Sequence, residues 1–98
     1  MIVEIECLPT PPGTPDEPYR HVEAAIAVVE RSGLHYEVDA LGTTFEGDPT
    51  ICWEVARRVH EACLQAGARS VVTIAKFAQH ADPATQPTIA SLTGKFRG

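Results

Sequence analysis

The sequence predicts an α+β fold of the ferredoxin-like βαββαβ type, an antiparallel sheet with two helices on one face. Two stretches place their apolar residues at helical spacing, and the stretches around them alternate apolar and polar residues. One alternating stretch precedes the first helix, two lie between the helices, and one follows the second helix. A tight turn joins the middle two. Because two helices cover one face of such a sheet, we expect the other face to be bare.

The first strand is predicted at the N-terminus, where apolar residues at positions 3, 5 and 7 alternate with two glutamates. We expect it to end at Leu8, because the segment 8–15 contains four prolines and a glycine. Prolines remove donors from a β-ladder and favour extended or turn geometry. This segment is therefore predicted to be an ordered or semi-rigid loop.

Helix one is predicted from Tyr19 to Arg31, because four apolar residues between positions 22 and 29 recur at i, i+3, i+4 and i+7. Two positions remain possible for the start of this helix. Thr14 with Glu17 has the spacing of a capping box, and Asp16 with Pro18 suits a first turn equally well. The serine and glycine that follow the helix predict its end.

Two short strands are predicted next, at 35–40 and 43–46. Apolar and polar residues alternate in the first, the second is rich in β-branched and aromatic residues, and a Leu-Gly turn joins them. A fourth strand is predicted from about Arg69 to Phe77. It is almost continuously apolar, as expected for a strand that is covered on both faces or packed against a partner chain.

Helix two is predicted from Asp48, an N-cap residue directly before a proline, to about Ala66, with Gly67 as its cap. Its apolar stripe includes Val59, which we expect in the core. Ion pairs at i, i+4 spacing are expected for Glu54 with Arg58 and for Arg57 with Glu61.

The C-terminal part is expected to be an extension, residues 81–98, to a core of about residues 1–80 within one domain of 98 residues. Residues 81–87 are predicted to form a loop and residues 88–96 a fifth short strand. The first six residues include two glutamates where a secretion signal would be apolar. No segment approaches the roughly 20 apolar residues of a membrane span. The sequence therefore predicts a cytoplasmic protein.

The net charge of −5, from thirteen acidic and eight basic residues, argues against nucleic acid as a partner, because phosphate binding needs positive charge. An acidic protein does accommodate a cationic small ligand. The three cysteines are an odd number without a CxxC pair, which predicts reduced and buried thiols. Cys52 and Cys63 lie about 16 Å apart along the predicted helix, too far for a disulfide.

Patterns of catalysis and of metal binding are missing from the sequence. It has neither a GxSxG nucleophile elbow nor a recognisable catalytic cysteine signature, so we expect no enzyme activity and no cofactor. His60 and Cys63 have helical i, i+3 spacing, but two ligands do not make a zinc site.

The segment between Gly42 and Gly47 lacks the GxxxxGK[ST] pattern of a phosphate loop, so the glycines are typical of turns. The segment also places two hydroxyls and a carboxylate, from Thr43, Thr44 and Glu46, on one strand. Such groups suit the recognition of a polar heteroaromatic ring.

Two motifs together carry a family resemblance: Ser32-Gly33-Leu34-His35-Tyr36, and Leu41-Gly42-Thr43-Thr44-Phe45-Glu46-Gly47. His60-Glu61 and Gly67-Ala68-Arg69 follow them. In this order and spacing they resemble the MTH1187/YkoF-like thiamine-binding protein family, over about Tyr19 to Lys76.

This resemblance implies a ferredoxin-like fold, assembly into dimers or tetramers through the sheets, and binding of thiamine or its hydroxymethylpyrimidine moiety for salvage or transport. By matching motif positions it implies Thr43, Thr44 and Glu46 as ligand-binding residues, with Ser32 and Lys76 as further candidates.

Two hypotheses of other classes remain beside small-molecule binding. One is a regulatory or scaffolding module that acts through its open sheet face. The other is a small cofactor-independent enzyme such as an acylphosphatase. The enzyme ranks last, because no arginine lies in a glycine-rich loop after the first strand to hold a phosphate.

Overall fold

The computed structural model describes residues 1–97, and within them four strands form one antiparallel sheet covered by two long helices. The strands are β1 (Ile2–Thr10), β2 (His35–Asp39), β3 (Gly42–Glu46) and β4 (Ser70–Ala78). The long helices are α1 (Arg20–Arg31) and α2 (Pro49–Ala66). The strand order is β2-β3-β1-β4, with every neighbouring pair antiparallel. This is the predicted ferredoxin-like βαββαβ arrangement.

The alternation along β1 separates the two faces of the sheet. Val3 and Ile5 are 0% and 4% exposed and belong to the core beneath the helices, whereas Glu4 and Leu8 are exposed on the open face. The core also takes residues from β3 and both helices, among them Phe45, Ala25, Val29, Cys52, Val55, Val59 and Cys63. The predicted burial of Val59, at 2% exposure, is confirmed.

Strand β1 runs further than predicted, because it continues through Leu8 and Pro9 to Thr10. Pro9 pairs with Val71, and Thr10 with Ser70. The pairing of β1 with β3 ends at Ile5, so residues 7–10 have β4 as a neighbour on one side only. A proline is tolerated on such an edge, since the donor it lacks is not required there.

Neither predicted N-terminal cap of helix one is correct, although the predicted range, Tyr19 to Arg31, agrees with the structure to within one residue. The helix begins at Arg20, after Tyr19, whose side chain makes no capping hydrogen bond. The Thr14 hydroxyl does accept a hydrogen bond from the Glu17 amide (3.1 Å), but within the preceding loop. Arg20 pairs with the Glu17 carboxylate at 2.8 Å.

The proline-rich loop is fastened to α1 by His21, which is 3% exposed. Its ring nitrogen Nδ1 lies 2.7 Å from the Pro11 carbonyl oxygen, and its backbone amide donates to the Pro12 carbonyl at 2.9 Å. Since a carbonyl oxygen only accepts, Nδ1 carries the proton of this hydrogen bond. The loop is therefore an ordered part of the fold.

Helix α2 begins and ends as predicted. The Asp48 side chain accepts a hydrogen bond from the Ile51 amide at 3.2 Å, and Gly67 ends the helix with a φ of 125°. On its exposed side, Arg57 pairs with Glu61 at 2.8 Å, as expected. Glu54 pairs with this same Arg57, one turn away at i, i+3, and not with the expected Arg58.

The predicted fifth strand at 88–96 is wrong. This segment forms a short helix, α3 (Ile89–Thr93), and one 3₁₀ turn, Gly94–Phe96. Thr88 and Ser91 form a capping box, in which each side chain accepts a hydrogen bond from the other's amide, at 3.0 and 2.9 Å. The capping pair outweighs the β-propensity of an isolated segment that has no strand to pair with.

Within residues 1–97, none of the helices combines the length and the apolar character needed to cross a membrane.

Candidate functional site

A cleft of about 170 Å³ opens between α1 and the end of the sheet where β2 turns into β3. Most of its wall is apolar and comes from both layers of the fold: Ile5, Val22, Ala25, Ile26, Val29 and Val59. Pockets of this kind take a flat apolar or aromatic group, and a few polar groups fix its orientation.

Thr43 provides one of the polar groups of the cleft. It is 6% exposed and lies on β3 opposite Ile5 of β1 and Val38 of β2. Because it faces the helices, its hydroxyl is placed among apolar side chains. A hydrogen bond made there is shielded from water and discriminates strongly between ligands.

Two acidic residues, Glu6 and Asp39, lie at the rim of the cleft, and the alternation of β1 and β2 turns their side chains to the open face. Both also line a groove of about 370 Å³ on the open face, together with Glu4 and Lys76. The Lys76 ammonium lies 3.1 Å from the Glu4 carboxylate, in a pair exposed enough to contribute little to stability. The end of the sheet near the β2–β3 turn is thus acidic and suits a cation.

The structure divides the predicted binding residues between the two faces of the sheet. Thr43 faces the cleft, and the next residue, Thr44, faces the opposite side. Thr44 lies opposite Glu4 on β1, and Glu4 lies opposite Lys76 on β4, so these three residues form one row on the open face. One ligand in the cleft therefore meets Thr43 without Thr44 or Lys76.

Glu46 lies at the other end of β3, opposite Ile2 and His35. Its carboxylate accepts a hydrogen bond from the Ile89 amide at 2.6 Å and so holds the start of α3 against the open face. Ion pairs of Arg97 with Glu37 and Asp39 hold the end of the same segment. The C-terminal extension therefore covers part of the face that was expected to be bare.

Ser32 ends α1, as its hydroxyl donates to the Val29 carbonyl at 2.6 Å and accepts from the Leu34 amide at 3.1 Å. It precedes β2, whereas the cleft lies beyond the other end of that strand. The binding roles of Ser32 and Glu46 stay predictions, and the structure gives both side chains local hydrogen bonds.

The sequence analysis missed the contribution of α1 and of Cys7 to the cleft, because it assigned their apolar side chains to the core. The cleft exists because β3 ends opposite the middle of β1, so that part of α1 has no β3 beneath it. The sequence analysis did not predict this difference in strand length, because Pro9 indicated an early end of β1.

Comparisons with known proteins agree with this architecture. The family model of thiamine-binding proteins matches residues 3–92. A UPF0045 protein of Clostridium perfringens is 33% identical over 59 residues, which are 60% of this chain and 62% of that protein. The matched region thus spans about three fifths of the length of this curated relative.

Solved structures show the same fold. A domain of unknown function, DUF77, from Bacillus cereus has a TM-score of 0.78 and 36% identity, covering 99% of this chain and 91% of that one. A candidate thiamine biosynthesis/salvage protein from Thermotoga maritima has a TM-score of 0.81 and 22% identity, covering 98% and 97%. Because the family model extends over nearly the whole chain, this protein belongs to the thiamine-binding protein family.

Proposed function

We propose that this protein binds thiamine or its hydroxymethylpyrimidine moiety in the cleft under α1, for salvage or transport. The observation that carries the proposal is the lining of the cleft, where an apolar wall surrounds the Thr43 hydroxyl and two acidic residues, Glu6 and Asp39, lie at the rim. Family membership and the description of the Thermotoga maritima neighbour support this ligand class.

The chemistry of the ligand matches the two parts of the lining. An aminopyrimidine is a flat ring with acceptor nitrogens and an amine donor, so it packs against the apolar wall while the Thr43 hydroxyl donates or accepts one hydrogen bond. The thiazolium of thiamine is a permanent cation. Glu6 and Asp39 would attract it at the acidic end of the sheet.

Calorimetric titration with thiamine, its phosphates and hydroxymethylpyrimidine tests the proposal with a matched pair of variants. Thr43→Val keeps the shape of the side chain and removes its hydroxyl from the cleft, so we expect binding to weaken by about 0.5 to 1.5 kcal/mol. Thr44→Val makes the same change on the other face and reports on a ligand bound there. We expect it to bind as the wild type does.

Glu6→Gln distinguishes the two parts of the ligand. It should weaken the binding of cationic thiamine and leave the affinity for neutral hydroxymethylpyrimidine unchanged, since the variant removes charge and little volume. A loss of affinity in Thr44→Val and not in Thr43→Val would move the site to the open face. A wild-type protein that binds none of these compounds would contradict the proposal.

We also propose that the protein is a homo-oligomer, a dimer or tetramer, formed through an apolar strip on the open face. The strip consists of Leu8, Val72 and Ile74, which are 49%, 61% and 51% exposed. Leu8 and Val72 lie opposite each other on β1 and β4, and within residues 1–97 no strand pairs with the outer edge of β4. A second copy would cover the strip and extend the same sheet.

The same strip favours the second candidate function, a regulatory or scaffolding module that binds another protein through the open face. The two candidate functions predict different responses to small ligands. Only the binding protein responds to thiamine-related compounds. A wild-type chain that is monomeric in solution and unresponsive to all of them would favour the scaffolding function.

A further inference from the structure

A chain of three polar side chains connects the wall of the cleft to α2. The Cys7 sulfur lies 3.4 Å from the Thr73 hydroxyl oxygen, and the same oxygen lies 2.6 Å from Nδ1 of His60. Cys7 and Thr73 lie directly opposite each other on β1 and β4, both facing the helices. The three elements therefore hold the chain in a fixed geometry.

One end of this chain reaches the cleft, because Cys7 is partly exposed and lines it. The other two cysteines are buried and do not line the cleft. A small reagent that enters the cleft therefore meets Cys7 first.

The chain can move a proton away from Cys7. A hydroxyl both accepts and donates, so Thr73 can accept from the Cys7 thiol while it donates to a neutral His60 nitrogen. Shifting one proton along each hydrogen bond leaves a thiolate on Cys7 and an imidazolium on His60. The thiolate is the nucleophilic form of cysteine, and a neighbouring base is a usual way of producing it.

We propose that Cys7 is a site of reversible oxidation, at which a hydroperoxide that enters the cleft oxidises the Cys7 thiolate to a sulfenic acid. The proposal rests on the geometry of these side chains and is independent of thiamine binding. Because Cys7 belongs to the cleft wall, its oxidation changes the lining of the candidate ligand site.

The atoms and electrons balance. The Cys7 thiolate attacks the terminal oxygen of the hydroperoxide, the O–O bond breaks, and an alcohol or water leaves with the relayed proton, which gives a sulfenic acid on Cys7. The Cys7 sulfur loses two electrons, and one hydroperoxide gains them. Two thiols of an added reductant reverse the oxidation: the first forms a mixed disulfide with Cys7 and releases water, and the second releases the Cys7 thiol as the disulfide of the reductant forms.

Mass spectrometry of the full chain treated with hydrogen peroxide tests the proposal. We expect dimedone to trap a sulfenic acid that peptide mapping places on Cys7, and a thiol reductant added before the dimedone should remove it. Cys7→Ser should lose this adduct. Cys52→Ser is the matched control, since Cys52 is buried elsewhere in the core, and it should react as the wild type does.

A pair of Thr73 variants tests the relay. Thr73→Ser keeps the hydroxyl and should keep the rate of Cys7 oxidation, whereas Thr73→Val keeps the shape and should slow it by a factor on the order of 10². Equal dimedone labelling of Cys7 and Cys52 in the folded wild type would overturn the proposal. Absence of a dimedone adduct on Cys7 of the peroxide-treated wild type would overturn it as well, and this wild-type measurement decides even where a variant fails to fold.

Discussion

At the scale of the residue, the face of the strand decides which role a side chain has. Thr43 and Thr44 are the same residue type, one position apart, yet Thr43 lines the cleft under α1 and Thr44 faces the open side. The period of two in a strand makes this division unavoidable. A sequence motif on a strand therefore identifies candidate binding residues, but it does not show which of them face the same ligand site.

The burial of Val59 predicts the effect of a charge in the core. Val59→Asp places a carboxylate at a site that is 2% exposed and lies between helix and sheet, so we expect the fold to be lost. Leu64→Asp introduces the same charge into the same helix at a site that is 44% exposed, and it should stay folded. Circular dichroism melts compare the two, and equal melting temperatures would contradict the orientation of α2.

The buried thiol of Cys63 predicts a dependence of stability on alkaline pH. Its pKa rises from 9.0 to about 12 on folding, mainly because burial disfavours the thiolate. Above pH 9 the unfolded chain therefore loses this proton before the folded one does, and stability falls as the pH rises towards 12. Cys63→Ala should show a shallower decrease of the urea midpoint over this range, whatever its stability at pH 7. Parallel decreases in both proteins would disprove this.

The hydrogen bond from Ile89 to Glu46 predicts how the C-terminal extension is held. Glu46→Ala removes the carboxylate that accepts from the Ile89 amide at 2.6 Å, and so we expect α3 to open more often. Hydrogen exchange at the Ile89 amide should accelerate, while exchange at core amides such as that of Val3 should not change. Unchanged exchange at Ile89 would show that other contacts hold the segment.

At the scale of the element, the sequence predicted the helices and strands better than their ends. Strong periodicity placed both long helices, and the Asp-Pro pair placed the start of α2. The end of β1 was hidden, because a proline is compatible with a strand wherever one edge has no partner. The extension was assigned to a strand from its composition, although Thr88 and Ser91 have the spacing that caps α3.

Gly13 predicts the sensitivity of the proline-rich loop. A Cβ at this position would lie 2.2 Å from the Glu17 carbonyl oxygen and 2.4 Å from the Pro18 carbonyl carbon, both of which are backbone atoms. Gly13→Ala must therefore shift the loop, and we expect it to cost about 1 to 3 kcal/mol. Gly94→Ala is the control, because a Cβ there meets no atom within 4 Å. The melting temperatures compare them, and two equal values would mean that the loop adjusts freely.

At the scale of the whole molecule, the fold and the family followed from the sequence, and the cleft did not. The order of the elements determined the layers, and the family motifs around the β2–β3 turn lie at the end of the sheet where the cleft opens. The cleft itself depends on how far β1 runs past β3 and on where α1 crosses the sheet. These are relations between distant segments, which local patterns do not encode.

The open face predicts the assembly of the chain and its disruption. Ile74 is 51% exposed on β4, the last strand of the sheet within residues 1–97, and it belongs to the apolar strip with Leu8 and Val72. Covering each such side chain in an interface contributes up to about 1.5 to 3 kcal/mol. Light scattering should therefore give the wild type twice or four times the monomer mass of 10.6 kDa.

Ile74→Lys places a charge in this strip and should give the monomer mass, because an unpaired ammonium resists burial against a second copy. The monomer itself should stay folded, since half of the Ile74 side chain is already exposed. Leu92→Lys makes the same change at a site on α3 that is 57% exposed, outside the strip, and should leave the assembly intact. A wild type of 10.6 kDa, or an Ile74→Lys protein with the wild-type mass, would show that the strip does not join two copies.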